Sequence, residues 1–221
     1  MSPLHRRGIL CIVSGPSGSG KTTLCRALSA SDDQCDYAVS CTTRAPRGGE
    51  VDGRDYHFLS RADFEARALR GEFLEWAEVH GNLYGTLKRS VLDLIETGRD
   101  VLMDIDVQGA ALVRQIADPA IRDSLIDIFI LLPGRDEMIK RLSGRGTETP
   151  EQVALRLHNA LEEMRHWRDY GYAIVSGSPE QDLRRFRAIV EAERCRTHRL
   201  RGEDGHAAAT GEEHPDLFAD A

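Results

Sequence analysis

The stretch Gly15-Pro16-Ser17-Gly18-Ser19-Gly20-Lys21-Thr22 constrains this chain more than any other. It satisfies G-x-x-x-x-G-K-[ST] at every fixed position. The apolar run Gly8-Ile9-Leu10-Cys11-Ile12-Val13 before it reads as a buried strand, and Thr22 to Leu28 after it as the start of a helix. Strand, glycine-rich turn and helix together aim successive backbone N–H groups inward, and the helix N-terminus adds a positive partial charge. The product is an anion cradle. Glycines let the backbone approach phosphate, Lys21 is placed to reach β- and γ-phosphates, and the Thr22 hydroxyl to coordinate Mg²⁺. A glycine-rich turn with a chance lysine is the alternative, and it leaves the flanking strand and helix unexplained.

The 221 residues suit one α/β domain with sub-domains, or two small ones. With 29 basic against 36 acidic residues, the net charge of −7 argues against a general nucleic-acid binder. No apolar run approaches the ~20 residues of a membrane span. The basic start, Met1 to Arg7, leads straight into a core strand, so it is not read as a signal peptide, and a cytoplasmic protein is expected. Cys11, Cys25, Cys35, Cys41 and Cys195 show neither C-x-x-C nor metal-ligand spacing, which points to reduced thiols.

Beyond the first helix, Tyr37 to Thr42 reads as a strand, followed by a loop in which Arg44 and Arg47 flank Pro46 before the Gly48-Gly49 turn. Paired guanidinium groups on a constrained loop suit bidentate phosphate binding; an exposed solubilising loop is the alternative. Arg54 to Leu59 reads as a strand, and Ser60 caps a short helix ending near Gly71. Glu72 to Val79 alternates polar and apolar residues, a strand with one solvated or ligand-facing side that carries Glu75. Gly81 to Thr86 is expected to be a turn leading to an amphipathic helix, Val91 to Thr97, which stops at Gly98. Residues 36 to 86 thus form a strand-rich insert.

The core resumes at Asp100 to Asp106, a strand whose carboxyl end carries two carboxylates. Ligands of open α/β sheets sit outside those ends. Asp104 is therefore placed to hold Mg²⁺ or its water shell. For Asp104 and Asp106 alike, a helix cap before Val107-Gln108-Gly109 is the alternative. Asp123 to Leu132 contains another buried strand, and a short helix and an exposed connection over Lys140 to Thr147 come next. Thr149-Pro150-Glu151-Gln152 starts a long helix with the stripe Val153, Leu157, Ala160, Leu161, Met164 and Trp167. Arg141, Arg145 and Arg156 can converge there as a lid over the phosphates, or form a merely solvated basic face. Tyr172 to Val175 is a last core strand, Ser178-Pro179 starts another helix, and the Gly-, Ala- and acid-rich tail from Arg201 reads as disordered.

From about Gly8 to Arg196 the chain resembles the guanylate kinase family, which moves a phosphoryl group from ATP to GMP. The resemblance rests on the phosphate loop, Ser40-Cys41-Thr42-Thr43-Arg44-Ala45-Pro46-Arg47, Asp55-Tyr56, Phe73-Leu74-Glu75-Trp76, Asn82-Leu83-Tyr84-Gly85-Thr86, Asp104-Ile105-Asp106-Val107-Gln108-Gly109 and Gly144-Arg145-Gly146-Thr147-Glu148-Thr149. It implies a P-loop-type parallel sheet flanked by helices, with a strand-rich GMP-binding insert and a helical arginine lid. It implies that Arg44, Arg47, Tyr56 and Tyr84 hold the GMP phosphate while Ser40, Glu75, Thr86 and Asp106 read the guanine, with Asp104 beside them. Guanine offers N1–H and 2-amino donors, which carboxylates accept. ATP is expected on Gly15, Pro16, Ser17, Gly18, Ser19, Gly20, Lys21, Thr22, Thr23 and Arg141, with Mg²⁺ on Thr22 and, through water, Asp104. Lys21, Arg47, Arg145 and Arg156 would neutralise the transferring group.

The resemblance divides the chain into core (1–35), GMP sub-domain (36–98), core (99–134), lid (135–168), core (169–200) and tail (201–221). ATP and GMP are the expected partners, with neither nucleic acid nor membrane, and homo-oligomer formation is left open. One departure stands out: Ser176-Gly177 replaces an Asn-Asp pair that in the family helps position the ATP adenine. A ribose bisphosphate phosphokinase and a non-catalytic guanylate-kinase-like binding module are the alternatives. The first is not expected to keep Glu75, Asp104 and Asp106 together, and the second typically has an eroded phosphate loop.

Overall fold

The computed structural model describes residues 5–79, 81–143 and 150–201. A short strand, β1 (His5–Arg6), precedes β2 (Leu10–Ser14), in which every residue is buried. The phosphate loop follows, and α1 (Lys21–Ser31) begins at its lysine. β3 (Cys35–Tyr37) returns to the sheet of β2, whereas β4 (Cys41–Thr42) starts a second sheet. The single strand expected over Tyr37–Thr42 is therefore two, interrupted at residues 38–40, because its halves hydrogen-bond to different sheets. The insert continues with β5 (His57–Phe58), shorter than the expected Arg54–Leu59, and α2 (Arg61–Leu69), whose Ser60 cap accepts from Asp63 N–H at 3.0 Å.

β6 (Phe73–Val79) pairs antiparallel with β7 (Asn82–Leu87), from Phe73↔Leu87 to Val79↔Asn82. The expected turn over 81–86 is thus mostly strand. Gly81, at φ +78°, takes the turn. Gly85 serves another purpose, since a Cβ there would meet Trp76 Cβ at 2.7 Å and the Glu75 carbonyl at 2.9 Å. Its missing side chain allows the two strands to approach. α3 (Lys88–Glu96) then starts three residues earlier than expected.

The core continues through β8 (Asp100–Asp104), α4 (Val107–Arg114), α5 (Pro119–Ser124) and β9 (Leu125–Leu131). Sequence reading assigned no helix to α5, although Asp118 caps it before Pro119, the same arrangement as Ser178-Pro179. α6 (Arg135–Ser143) absorbs Lys140 and Arg141 from the expected connection, and α7 (Pro150–Met164) follows. Leu161 of the expected stripe is exposed, while Ala160 is buried with Leu132 and Met138. β10 (Tyr172–Val175), α8 (Pro179–Arg194) and β11 (Leu200–Arg201) complete the fold. β11 pairs with β1, so Arg201 belongs to a strand; the remainder of the expected tail lies outside the described residues.

The central sheet is parallel throughout, in the order β10-β9-β2-β8-β3. Period-two alternation splits its core into two layers. Cys11 and Val13 pack with Leu24 and Leu28 of α1 and Phe186 of α8, whereas Leu10 and Ile12 pack with Val91 and Ile95 of α3 and Val113 of α4. The insert sheet, β5-β4-β7-β6, has its own small core around Cys41, Phe64, Phe73 and Leu83. At the carboxyl edge of the central sheet Val13 lies beside Asp104, which brings the start of the phosphate loop against the first acidic residue.

Candidate active site

Gly15, Gly18 and Gly20 adopt φ values of +148°, +79° and +89°, which other residues rarely tolerate. Ser19 N–H donates to the Pro16 carbonyl at 3.0 Å, curling the loop. Lys21 Nζ donates to the carbonyls of Gly15 (2.6 Å) and Pro16 (3.2 Å), so the loop supplies its acceptors. Burial pulls the Lys21 pKa down, and the charges of Glu163 and Asp104 oppose this. The Ser19 hydroxyl is buried and has no hydrogen-bond partner among the described residues. An orphaned donor in a cradle of N–H groups suits an anionic oxygen.

Thr22 Oγ1 donates to Asp104 Oδ2, and Tyr37 OH to Asp104 Oδ1. Of the two readings for Asp104, the structure therefore shows no cap: its carboxylate joins α1 to β3. Thr22 and Asp104 offer adjacent hard oxygen donors, a set that fits Mg²⁺. Asp106 does cap α4, accepting from Gly109 N–H at 2.7 Å through Oδ1.

Between the central and insert sheets lies a cavity of about 260 Å³. Ser40, Tyr56, Glu75, Tyr84, Asp104 and Asp106 from the expected set line it, so the cap role of Asp106 does not remove it from the site. Glu75 faces Thr86 across the β6–β7 ladder and is hydrogen-bonded by it. Burial pushes the Glu75 pKa up to about 7, with the Thr86 hydrogen bond opposing and the Asp106 charge adding to the rise. Thr86 Oγ1 lies 3.1 Å from Ser40 Oγ, which ties three expected base-reading residues into one chain.

Arg44 is held bidentately by Glu50 at 2.9 and 3.0 Å and stacks 5.4 Å from the Tyr56 ring centre. Glu50 also accepts from Arg47 N–H at 2.7 Å. Sequence reading missed this counter-ion, although Glu50 closes the loop just past Gly48-Gly49. It also gave no role to Arg26, Tyr37 or the motif residue Asp55, all of which line the cavity. Arg26 was legible as the residue one helical turn beyond Thr22.

A second cavity of about 210 Å³ lies on the other face of the first turns of α1, against Gly20, Thr23, Leu24 and Ala27. Arg141, Ser176, Gly177, Pro179 and Asp182 close it. Arg141 pairs with Glu137 at 2.7 Å and donates to Ser176 Oγ at 3.1 Å, with its Cβ 3.5 Å from where a Gly18 Cβ would stand. Arg156 donates to Ser17 Oγ at 3.1 Å. Two of the three arginines expected to form a lid therefore approach neighbouring loop residues, and Arg145 lies outside the described residues. Glu163 of α7, another residue missed, has its carboxyl pushed up by burial while Lys21 and the Ser17 N–H favour its charge.

The profile of the guanylate kinase family matches residues 7–193. The chain belongs to the guanylate kinase family. It is 43% identical over 203 residues to a guanylate kinase of Clostridium perfringens, covering 91% of this chain and 92% of that protein. A guanylate kinase of Dechloromonas aromatica is 46% identical over 185 residues, or 84% of this chain and 89% of that one. The crystal structure of guanylate kinase from Anaplasma phagocytophilum matches with a TM-score of 0.70 at 31% identity, covering 89% and 92% of the two chains. Guanylate kinases are ATP-dependent nucleoside monophosphate kinases, which accounts for a phosphate loop with a cavity on either side. Neither the ribose bisphosphate phosphokinase nor the binding-module alternative is favoured by these relatives. Among the described residues no helix is long and apolar enough to cross a membrane.

Proposed function

We propose that the protein transfers the γ-phosphoryl group of ATP to GMP, giving ADP and GDP. The observation that carries this reading is the pair of carboxylates, Glu75 and Asp106, on the wall of the cavity that also holds Tyr56 and Tyr84. Ionised carboxylates accept only, which suits the N1–H and 2-amino donors of guanine, and those donors in turn favour the ionised form of Glu75; adenine presents an unprotonated N1 there. Tyr56 and Tyr84, with Arg44 and Arg47, are assigned to the GMP phosphate, which would replace Glu50 on Arg44.

ATP phosphates are assigned to the loop N–H groups, Lys21 and the Ser19 hydroxyl. Mg²⁺, held by Thr22 and through water by Asp104, would neutralise phosphate charge. A GMP phosphate oxygen attacks the γ-phosphorus in line, its bond forms as the bond to the β–γ bridging oxygen breaks, and ADP carries that electron pair away. No protein nucleophile is required. Lys21, Arg47, Arg145 and Arg156 stabilise the charge in transit, and catalysis is positioning plus electrostatics. The 36–98 insert is the GMP unit and 135–168 the lid, whose closure excludes water.

A coupled assay with MgATP and each nucleoside monophosphate tests the assignment, with GMP expected to exceed AMP strongly. Lys21→Ala should lower kcat by about a hundredfold or more with an unchanged circular dichroism spectrum. Near-normal turnover in the folded variant, or a preference for another monophosphate, overturns it.

A further inference from the structure

We propose that Asp182 reads the base of the phosphoryl donor, accepting from the 6-amino group of adenine and disfavouring bases with a carbonyl there. The inference rests on the reading of ATP as donor. A nucleotide with its phosphates on the loop has the second cavity beside it, between Leu24 and Ala27 of α1 and Pro179 at the start of α8. Those apolar walls suit a flat base, and few polar groups are left to identify its edge.

Asp182 is one of them, only 7% exposed. Its Oδ1 accepts from Gly177 N–H at 2.9 Å and its Oδ2 from Ser176 Oγ at 2.9 Å, while Ser176 Oγ accepts from Arg141. Arg185 Nη1 lies 3.5 Å from Oδ1 on the more exposed side. A carboxylate has about four lone-pair directions and no proton to give. Two hydrogen bonds fix its orientation and leave room for a donor from the cavity. An amino group is welcome there, and a carbonyl oxygen meets a like partial charge.

The Ser176-Gly177 departure fits this arrangement. A Cβ on Gly177 would meet the movable tip of Gln181, 2.6 Å from its Oε1, and make ordinary contact with Asp182 Oδ1 at 3.8 Å, so position 177 lies directly against the first turn of α8 that carries Asp182. The short residues at the end of β10 thus yield the base-reading position to a side chain one turn into the next helix.

The test compares initial rates at saturating GMP with ATP, GTP and purine riboside triphosphate, which is ATP without the 6-amino group, for wild type, Asp182→Ala and Asp182→Asn. Wild type should lose about tenfold in kcat/KM from ATP to purine riboside triphosphate and more to GTP. Asp182→Ala should bring ATP and purine riboside triphosphate to within about twofold of each other, through the donor KM, with kcat and the GMP KM little changed. Asp182→Asn, which keeps the volume should the alanine variant fail to fold, should narrow the gap to GTP because its amide can donate to O6. Equal use of ATP and purine riboside triphosphate by wild type overturns the inference. So does a uniform fall for all three donors in the variants, which would mark Asp182 as a support for Ser176 and Arg141. A wild type that phosphorylates GMP from none of the donors overturns the proposed function, and this inference with it.

Discussion

Glu75 shows at the scale of one residue how a site is built against stability. Its carboxyl titrates near 7 in the folded chain against an ordinary value of 4.5. Well below pH 4.5 it is protonated in both folded and unfolded states and costs nothing. Between 4.5 and 7 the unfolded chain gives up the proton and the folded one keeps it, so stability falls as pH rises; above 7 the loss is constant, up to about 3 kcal/mol. Glu75→Gln stays neutral throughout. Without nucleotide the variant should therefore be more stable than wild type at pH 8, with the difference shrinking to less than about 0.5 kcal/mol at pH 4.5, as read from urea midpoints. Equal midpoints at pH 8 would show that the site does not strain the ionised carboxylate. The same substitution puts an amide donor against guanine donors and should lower kcat/KM for GMP by about ten- to a hundredfold while sparing AMP. A common factor for both substrates would sink the base-reading role.

Among the elements, those with a single physical explanation were legible and those with two were not. β2, β8, β10, α1, α2 and α8 were readable because burial, capping and glycine all pointed the same way at Leu10–Ser14, Ser60 and Ser178. β7 was not, since Gly81 and Gly85 look alike in sequence while one turns the chain and the other admits a neighbouring strand. The site follows the same rule. Motif residues such as Glu75 and Tyr84, which line the first cavity, were named in advance, whereas Glu163 meets Lys21 and Ser17 from far along the chain, and Glu50 and Asp182 meet their partners only once a turn folds back on itself. Gly85→Ala tests the element directly. The added methyl is overpacked against Trp76 and Glu75 and should cost about 1–3 kcal/mol while raising the GMP KM through the displaced Glu75–Thr86 pair. If the GMP KM is unchanged in a destabilised variant, the sheet geometry does not set the site.

Across the whole molecule, stability and chemistry occupy opposite ends of β8. Asp104 at its carboxyl end joins the phosphate loop, whereas Asp100 at its amino end is fully buried and accepts from Ile9 N–H at 2.9 Å, Arg6 of β1 at 2.5 Å and Arg194 of α8 at 2.7 Å. One carboxylate thus fastens the first strand, the central sheet and the last helix. Arg194 also pairs with Asp32 at 2.9 Å, so it keeps a partner if Asp100 loses its charge, while Arg6 loses its ion pair. Asp100→Asn should cost about 3 kcal/mol, the low end for breaking a buried pair, and lower Tm by roughly 6–12 °C for a chain of this size. Turnover at 25 °C should stay within twofold, because nothing at the phosphate-loop end of the strand is touched. Thermal unfolding followed by circular dichroism, with coupled-assay rates on the same sample, separates the two effects. A Tm within 2 °C of wild type would mean that the charge network is incidental to the fold. A normal Tm with collapsed turnover would mean that the two ends of β8 are not independent.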